Sequence, residues 1–222
     1  MGSGPGLIAL APNGQSAYVA NFISGTVTPL NLATDTAGSP IAVGHQPSAI
    51  AYTPDGQTAY VANLGSNTVI PISTATGQPG PPIAVGNEPQ ALAITPDGKT
   101  LLAVNYQSGT VSLIAVPTDV VRTTTKVGKN PESVILTAHG KKAVVVNEGS
   151  GSISVINAST GATVGTVQVG GEPSPAALSP DQKVFAVVSL PSHQTTADAN
   201  IVFYDEIGRP HHPGGSGEIL SN

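Results

Sequence analysis

Tyr18-Val19-Ala20-Asn21 and Tyr60-Val61-Ala62-Asn63 stand 42 residues apart. The tetrapeptide returns in altered form, again at that step, as Leu102-Ala103-Val104-Asn105 and Val144-Val145-Val146-Asn147. A turn keeps the same spacing: Pro12-Asn13-Gly14, Pro54-Asp55-Gly56, Pro96-Asp97-Gly98, then Ala138-His139-Gly140 and Pro180-Asp181-Gln182. So does a proline, at Pro5, Pro47, Pro89, Pro131 and Pro173. Short apolar runs and turns at a fixed period near 40 residues predict a radial or stacked β array.

One repeat shows how the array is built. Pro47–Tyr52 is a run of small and apolar residues, suited to an innermost strand where sheets converge. Thr53-Pro54-Asp55-Gly56 is a turn: proline presets φ, aspartate bonds locally and glycine accepts positive φ. Thr58–Ala62 and Thr68–Ile72 read as second and third strands, and Pro82–Gly86 as an outer fourth. Such a four-stranded antiparallel sheet cannot bury both faces alone, so the copies must pack face to face. The prediction is one all-β domain over residues 1–222, a β-propeller of about five four-stranded blades or part of a larger ring. The blades fall at about 5–46, 47–88, 89–130, 131–172 and 173–220. Pro40, Pro81 and Pro82 suit an outer edge. Pro29 and Pro71 predict a bulge or a missing N–H bond in the third strand, where Leu113 and Val155 stand later.

Composition excludes several classes. There is no cysteine, hence no disulfide, zinc-thiolate site or thiol nucleophile. Charged residues make up 9% of the chain, against about 25% in an average domain. Residues 1–98 hold no Lys or Arg, and five of the eight basic residues lie between Arg122 and Lys142. That is too sparse for a nucleic-acid footprint. No apolar run reaches the ~18 residues of a membrane span. The start, Met1-Gly2-Ser3-Gly4, has no signal-peptide pattern.

These motifs resemble the YVTN family of β-propeller repeats. The resemblance rests on the Pro-Asp-Gly turn, the Tyr-Val-Ala-Asn strand end, Ser24–Val27, Ser66–Val69 and Ser108–Val111. It also rests on Val-Gly-x-x-Pro at Val43–Pro47, Val85–Pro89, Val127–Pro131 and Val169–Pro173. It implies a secreted or cell-envelope protein. It also implies relatives that serve as surface-layer domains, lactonase-like enzymes or propeller parts of redox proteins, many of them with seven blades.

Candidate function follows from comparing the repeats with each other. The Pro-Asp-Gly turns share one face with the loops between third and fourth strands. Val-Gly-x-x-Pro shares the other with the loops after Asn21, Asn63, Asn105 and Asn147. The turn is kept alike, whereas the x positions vary: His45-Gln46, Asn87-Glu88, Lys129-Asn130 and Gly171-Glu172. Variable positions on a fixed scaffold are where binding chemistry differs. The expected ligand-binding residues are therefore His45, Gln46, Asn87, Glu88, Lys129, Asn130 and Glu172. The recurrent Asn reads as a side-chain cap of its turn. No catalytic or nucleotide-binding motif is present, and no cofactor or metal is readable. His45, Glu88 and Glu172 are the set that would converge on a metal near the axis. His211-His212 have no third ligand at defined spacing, and His193 with Asp198, in the loop inserted into the fifth repeat, offers a site that nothing else in the sequence supports. With no Trp and few aromatics, sugar platforms are disfavoured. The leading expectation is an extracellular or cell-envelope module that binds a protein or other envelope component without catalysis. The alternatives are a lactonase-like hydrolase with an axial metal and a purely structural surface-layer-type repeat.

Overall fold

A computed structural model describes residues 2–173, 176–181, 184–190, 200–205 and 209–210. Five antiparallel sheets follow one another along the chain. The first contains β1 (Pro5–Leu10), β2 (Ser16–Asn21), β3 (Thr26–Asn31), β4 (Thr36–Ala37) and β5 (Ile41–Ala42). The second contains β6 (Pro47–Tyr52), β7 (Thr58–Asn63), β8 (Thr68–Ser73) and β9 (Ile83–Ala84). The third runs through β10 (Pro89–Ile94), β11 (Thr100–Asn105), β12 (Thr110–Ala115) and β13 (Val120–Lys126). The fourth runs through β14 (Pro131–Thr137), β15 (Lys142–Asn147), β16 (Ser152–Asn157) and β17 (Thr163–Gln168). The fifth holds β18 (Glu172–Pro173), β19 (Ala177–Leu178), β20 (Val184–Leu190) and β21 (Asn200–Asp205). Short 3₁₀ turns such as Leu64–Ser66 and Glu148–Ser150 join some strands. The chain after residue 210, where the fourth strand of the blade expected at 173–220 would fall, lies outside the described residues.

Proline decides how complete each sheet is. Pro29 and Pro71 pair in register with Tyr18 and Tyr60, so the inner ladder is regular there, with no bulge. The defect is on the other side. A proline has no N–H to give the outer strand. Opposite Pro29 that strand is broken into β4 and β5, and opposite Pro71 only β9 and a bridge from Ile72 to Pro79 remain. Where Leu113 and Val155 replace the prolines, β13 and β17 are continuous, with an irregularity just beyond those residues.

Apolar clusters join neighbouring sheets in chain order, the arrangement of propeller blades. Tyr18 and Val27 of the first sheet pack with Val61 and Ile72 of the second. Tyr60 and Val69 pack with Leu101 and Ile114 of the third. Leu102 and Leu113 meet Val145 and Ile156 of the fourth, and Val144 and Ile153 meet Phe185 and Tyr204 of the fifth. Alternate residues of β7, β11 and β15 thus serve two interfaces, which is why these strands read as continuous apolar runs.

The Pro-Asp-Gly turns are backbone devices. Gly14, Gly56, Gly98 and Gly140 have φ of 66°, 70°, 69° and 80°. The Asp55 and Asp97 carboxylates each accept a hydroxyl, from Thr53 and Thr95, at 2.6 Å. Each also accepts an amide N–H, from Gln57 and Lys99, at 3.0 Å. The threonine bonds first, then the amide bonds, hold both carboxyls below the usual range. Stability from these bonds is complete above the ordinary carboxylate range and is lost as pH falls through the depressed values. Asp55→Asn should therefore lose less stability than the parent between pH 7 and pH 3, as read by thermal melts at the two pH values. Gly56→Val should cost about 1–3 kcal/mol in a denaturant titration, because valine resists positive φ. A change within ~0.3 kcal/mol would show that φ is not the constraint.

Candidate functional site

In the first four sheets, the ladder between innermost and second strands slips just after the recurrent proline. The slips fall between Pro5 and Leu7, Pro47 and Ala49, Pro89 and Ala91, and Pro131 and Ser133. The skipped residues are Gly6, Ser48, Gln90 and Glu132. A bulge re-aims the side chain that it skips. Ser48 uses this position structurally, donating its hydroxyl to the Pro89 carbonyl of the next sheet at 2.6 Å. The fourth sheet puts a half-buried carboxyl there, Glu132.

Two loops add to it. Tyr106, just after β11, donates its hydroxyl to Glu148 Oε2 at 3.1 Å, where Glu148 opens the loop after β15. Burial raises the Tyr106 hydroxyl above its usual range, and Glu148, Glu132 and Glu88 raise it further. Glu132 is pushed up by burial first and by the Glu148 charge second. One phenol and three carboxylates from two adjacent sheets thus share a field, in which burial and the Glu148 charge hold the Glu132 carboxyl above the usual carboxylate range. A carboxyl whose surroundings raise its pKa is suited to give up a proton in acid–base work. The sequence reading named Glu88 and missed Tyr106, Glu132 and Glu148. The missing signal was the bulge position, whose residues Gly6, Ser48, Gln90 and Glu132 can be compared only once the register is known.

The remaining linker residues are held by the loop of the sheet they enter. The amides of His45, Asn87 and Lys129 donate to Ser66, Ser108 and Ser150 Oγ at 2.8, 2.7 and 3.0 Å. Gln46, Glu88 and Asn130 follow with φ of 55°, 55° and 48°, and their carbonyls accept from Leu64, Tyr106 and Glu148. In the last linker the left-handed position is Gly171, and Glu172 is exposed in β18. The seven expected residues are therefore spread over successive sheets. Lys129 and Asn130 share a cleft of about 590 Å³ with Lys126, Ser108 and Ser150. Glu88 belongs to the Tyr106 group. His45, Glu88 and Glu172 form no metal set: among the described residues, no three His, Asp or Glu side chains are placed to hold an ion. His193, Asp198, His211 and His212 lie outside the described residues.

The recurrent asparagines are scaffold, not ligands. Asn21, Asn63, Asn105 and Asn147 are fully buried. Rather than capping a turn locally, three of them bridge to the next strand. Asn21 donates to Thr26 and Thr28, Asn105 to Thr110 and Ser112, and Asn147 to Ser152 and Ser154, at 2.9–3.2 Å. In the second sheet Ile70 stands at the position of Thr28, Ser112 and Ser154, and the Asn63 amide turns to the Val43 carbonyl of the linker, at 3.2 Å. Ser189, which replaces the Asn in β20, donates to the linker carbonyl of Gly170.

Comparison with known proteins agrees with this architecture. A family profile described as lactonase, 7-bladed β-propeller, matches residues 1–124. Among solved structures, hydrazine synthase of Kuenenia stuttgartiensis is 25% identical, with a TM-score of 0.81. The match covers 91% of this chain and 63% of that one, so the chain spans less than two thirds of that relative's length. A functionally unknown protein from Desulfotomaculum acetoxidans is 15% identical, with a TM-score of 0.78, over 95% of this chain and 69% of its own. No curated protein matches. Among the described residues, no helix is long and apolar enough to cross a membrane.

The field around Glu132 has a measurable consequence. Its folded-state pKa is raised, so the fold favours the protonated form, and ionisation at neutral pH works against folding. Glu132→Gln should melt higher than the parent at pH 8, and the gain should vanish as pH falls through the carboxylate range. A lower melt at pH 8 would show that Glu132 makes a stabilising contact as an anion.

Proposed function

Because the chain belongs to the seven-bladed β-propeller lactonase family, we propose that it opens a lactone ring at the Tyr106, Glu132 and Glu148 group. The supporting observation is the Tyr106–Glu148 hydrogen bond beside a half-buried Glu132, whose pKa is raised by burial and by the Glu148 charge. Glu148, oriented by the Tyr106 hydroxyl, takes a proton from the attacking water. Glu132, which keeps its proton to higher pH, delivers one to the ring oxygen as the acyl–oxygen bond breaks. Water and lactone are consumed, and a hydroxy acid is released into a field of carboxylates that repels it. A protein of the YVTN repeat type, placed outside the cell or in its envelope, fits the repeat motifs.

A second reading is a non-catalytic face that binds an envelope protein through the variable linker tips. It is favoured by their geometry: the backbone is fixed alike in the first three linkers while the side chain changes.

A hydrolysis assay on simple γ- and δ-lactones separates the two. The lactonase reading expects turnover that falls at least ~100-fold in Glu132→Gln, a scale typical of lost acid–base help. The rate of the parent should fall as pH rises through the Glu132 value. If purified protein leaves every lactone intact while His45→Ser with Glu172→Ser abolishes capture of an envelope protein, the binding reading replaces it.

A further inference from the structure

Lys126 ends β13 and Lys129 stands three residues later in the linker to the fourth sheet. Both lysines, exposed to solvent, line the cleft between the third and fourth sheets. The rest of its polar lining is neutral, including Ser108, Ser150, Thr166 and Gln168. Among the described residues no Asp or Glu lines it, although the chain carries 13 acidic residues against eight basic ones.

The internal repeats show that this charge is local chemistry on a common frame. At the positions of Lys126, Lys129 and Asn130, the preceding repeat has Ala84, Asn87 and Glu88, and the first has Ala42, His45 and Gln46. The frame itself is constant, since a loop serine accepts the linker amide at the first three interfaces. At the third of these Ser150 also bonds Ser152 at 2.9 Å, as Ser24 bonds Thr26 at 2.9 Å in the first sheet. Folding therefore does not call for two cations here. Two like charges without a carboxylate partner repel each other, and an anion between them offsets that cost.

We infer that this cleft binds a small oxyanion, a carboxylate or a phosphate, between the Lys126 and Lys129 ammonium groups, with the serine and glutamine side chains as further donors. The site adjoins the Tyr106 group, whose chain neighbour Gln107 lines the cleft, and does not depend on lactone hydrolysis.

Isothermal titration with inorganic phosphate, and separately with citrate, at constant ionic strength tests it. Saturable binding of one or both is expected, and the tighter of the two identifies the oxyanion class. Lys126→Gln with Lys129→Gln should weaken binding at least ~tenfold, whereas Lys126→Arg with Lys129→Arg should retain it. Lys99→Gln with Lys141→Gln changes net charge equally and should leave binding within about twofold, because distant charges are screened. Absence of saturable binding by the parent for both anions overturns the inference. So does equal weakening by the Lys99 and Lys141 pair, which would mean that the anion senses net charge alone.

Discussion

A buried asparagine at the end of the second strand in the first four sheets, set against a glycine of the incoming linker, carries the geometry on which the rest depends. A Cβ on Gly44, Gly86 or Gly128 would come within 2.8, 2.7 and 2.6 Å of Asn63, Asn105 and Asn147 side-chain carbons. No real pair of carbons packs that closely, so the glycine is required by space and the linker lies directly on the amide. For Asn147 the contact is also a bond, because Gly128 donates its N–H to Asn147 Oδ1 at 3.0 Å. A buried amide left without partners costs ~1–3 kcal/mol, which explains why hydroxyls recur five and seven residues beyond most of these asparagines. The linker that crosses from one sheet to the next is thereby pinned, and its tip is delivered to the same place in each copy.

That pinning makes the functional face possible. With the backbone of each tip fixed, side chains can change without refolding the loop. The chain uses this freedom to separate charge. Carboxylates gather at Tyr106, where a bulge and two loops bring Glu132, Glu148 and Glu88 together. Cations gather in the adjacent cleft, at Lys126 and Lys129. The opposite face shows no such variety, since its Pro-Asp-Gly turns spend their polar groups on their own backbone.

The periodicity made the sheets, their order and the turn glycines legible, because each repeats a local constraint. Positive φ at Gly56 follows from the turn sequence alone. The effect of Pro29 and Pro71 was half legible: the missing N–H was foreseeable, but its direction, toward the outer strand, needed the pleat. The asparagines were misread as local caps because their partners Thr28, Ser112 and Ser154 lie on the neighbouring strand. The acidic group was hidden for a different reason. Glu132 and Glu148 look like ordinary surface residues until the bulge after Pro131 fixes where one side chain goes. Tyr106 stands at a position held by Phe22, Leu64 and Glu148 in other repeats, so no recurrence marks it.

A double-mutant cycle on Gly86 and Asn105 tests the central constraint most directly. Gly86 has no positive φ to complicate the result, and the atoms that its Cβ would meet all belong to Asn105. Denaturant titrations of Gly86→Ala, Asn105→Gly and the double variant should show a coupling of at least ~1 kcal/mol, within the range found for residues in contact. The added methyl should cost far less once the asparagine side chain is gone. Strictly additive losses would mean that the linker does not rest on Asn105, and that something else sets the spacing between blades.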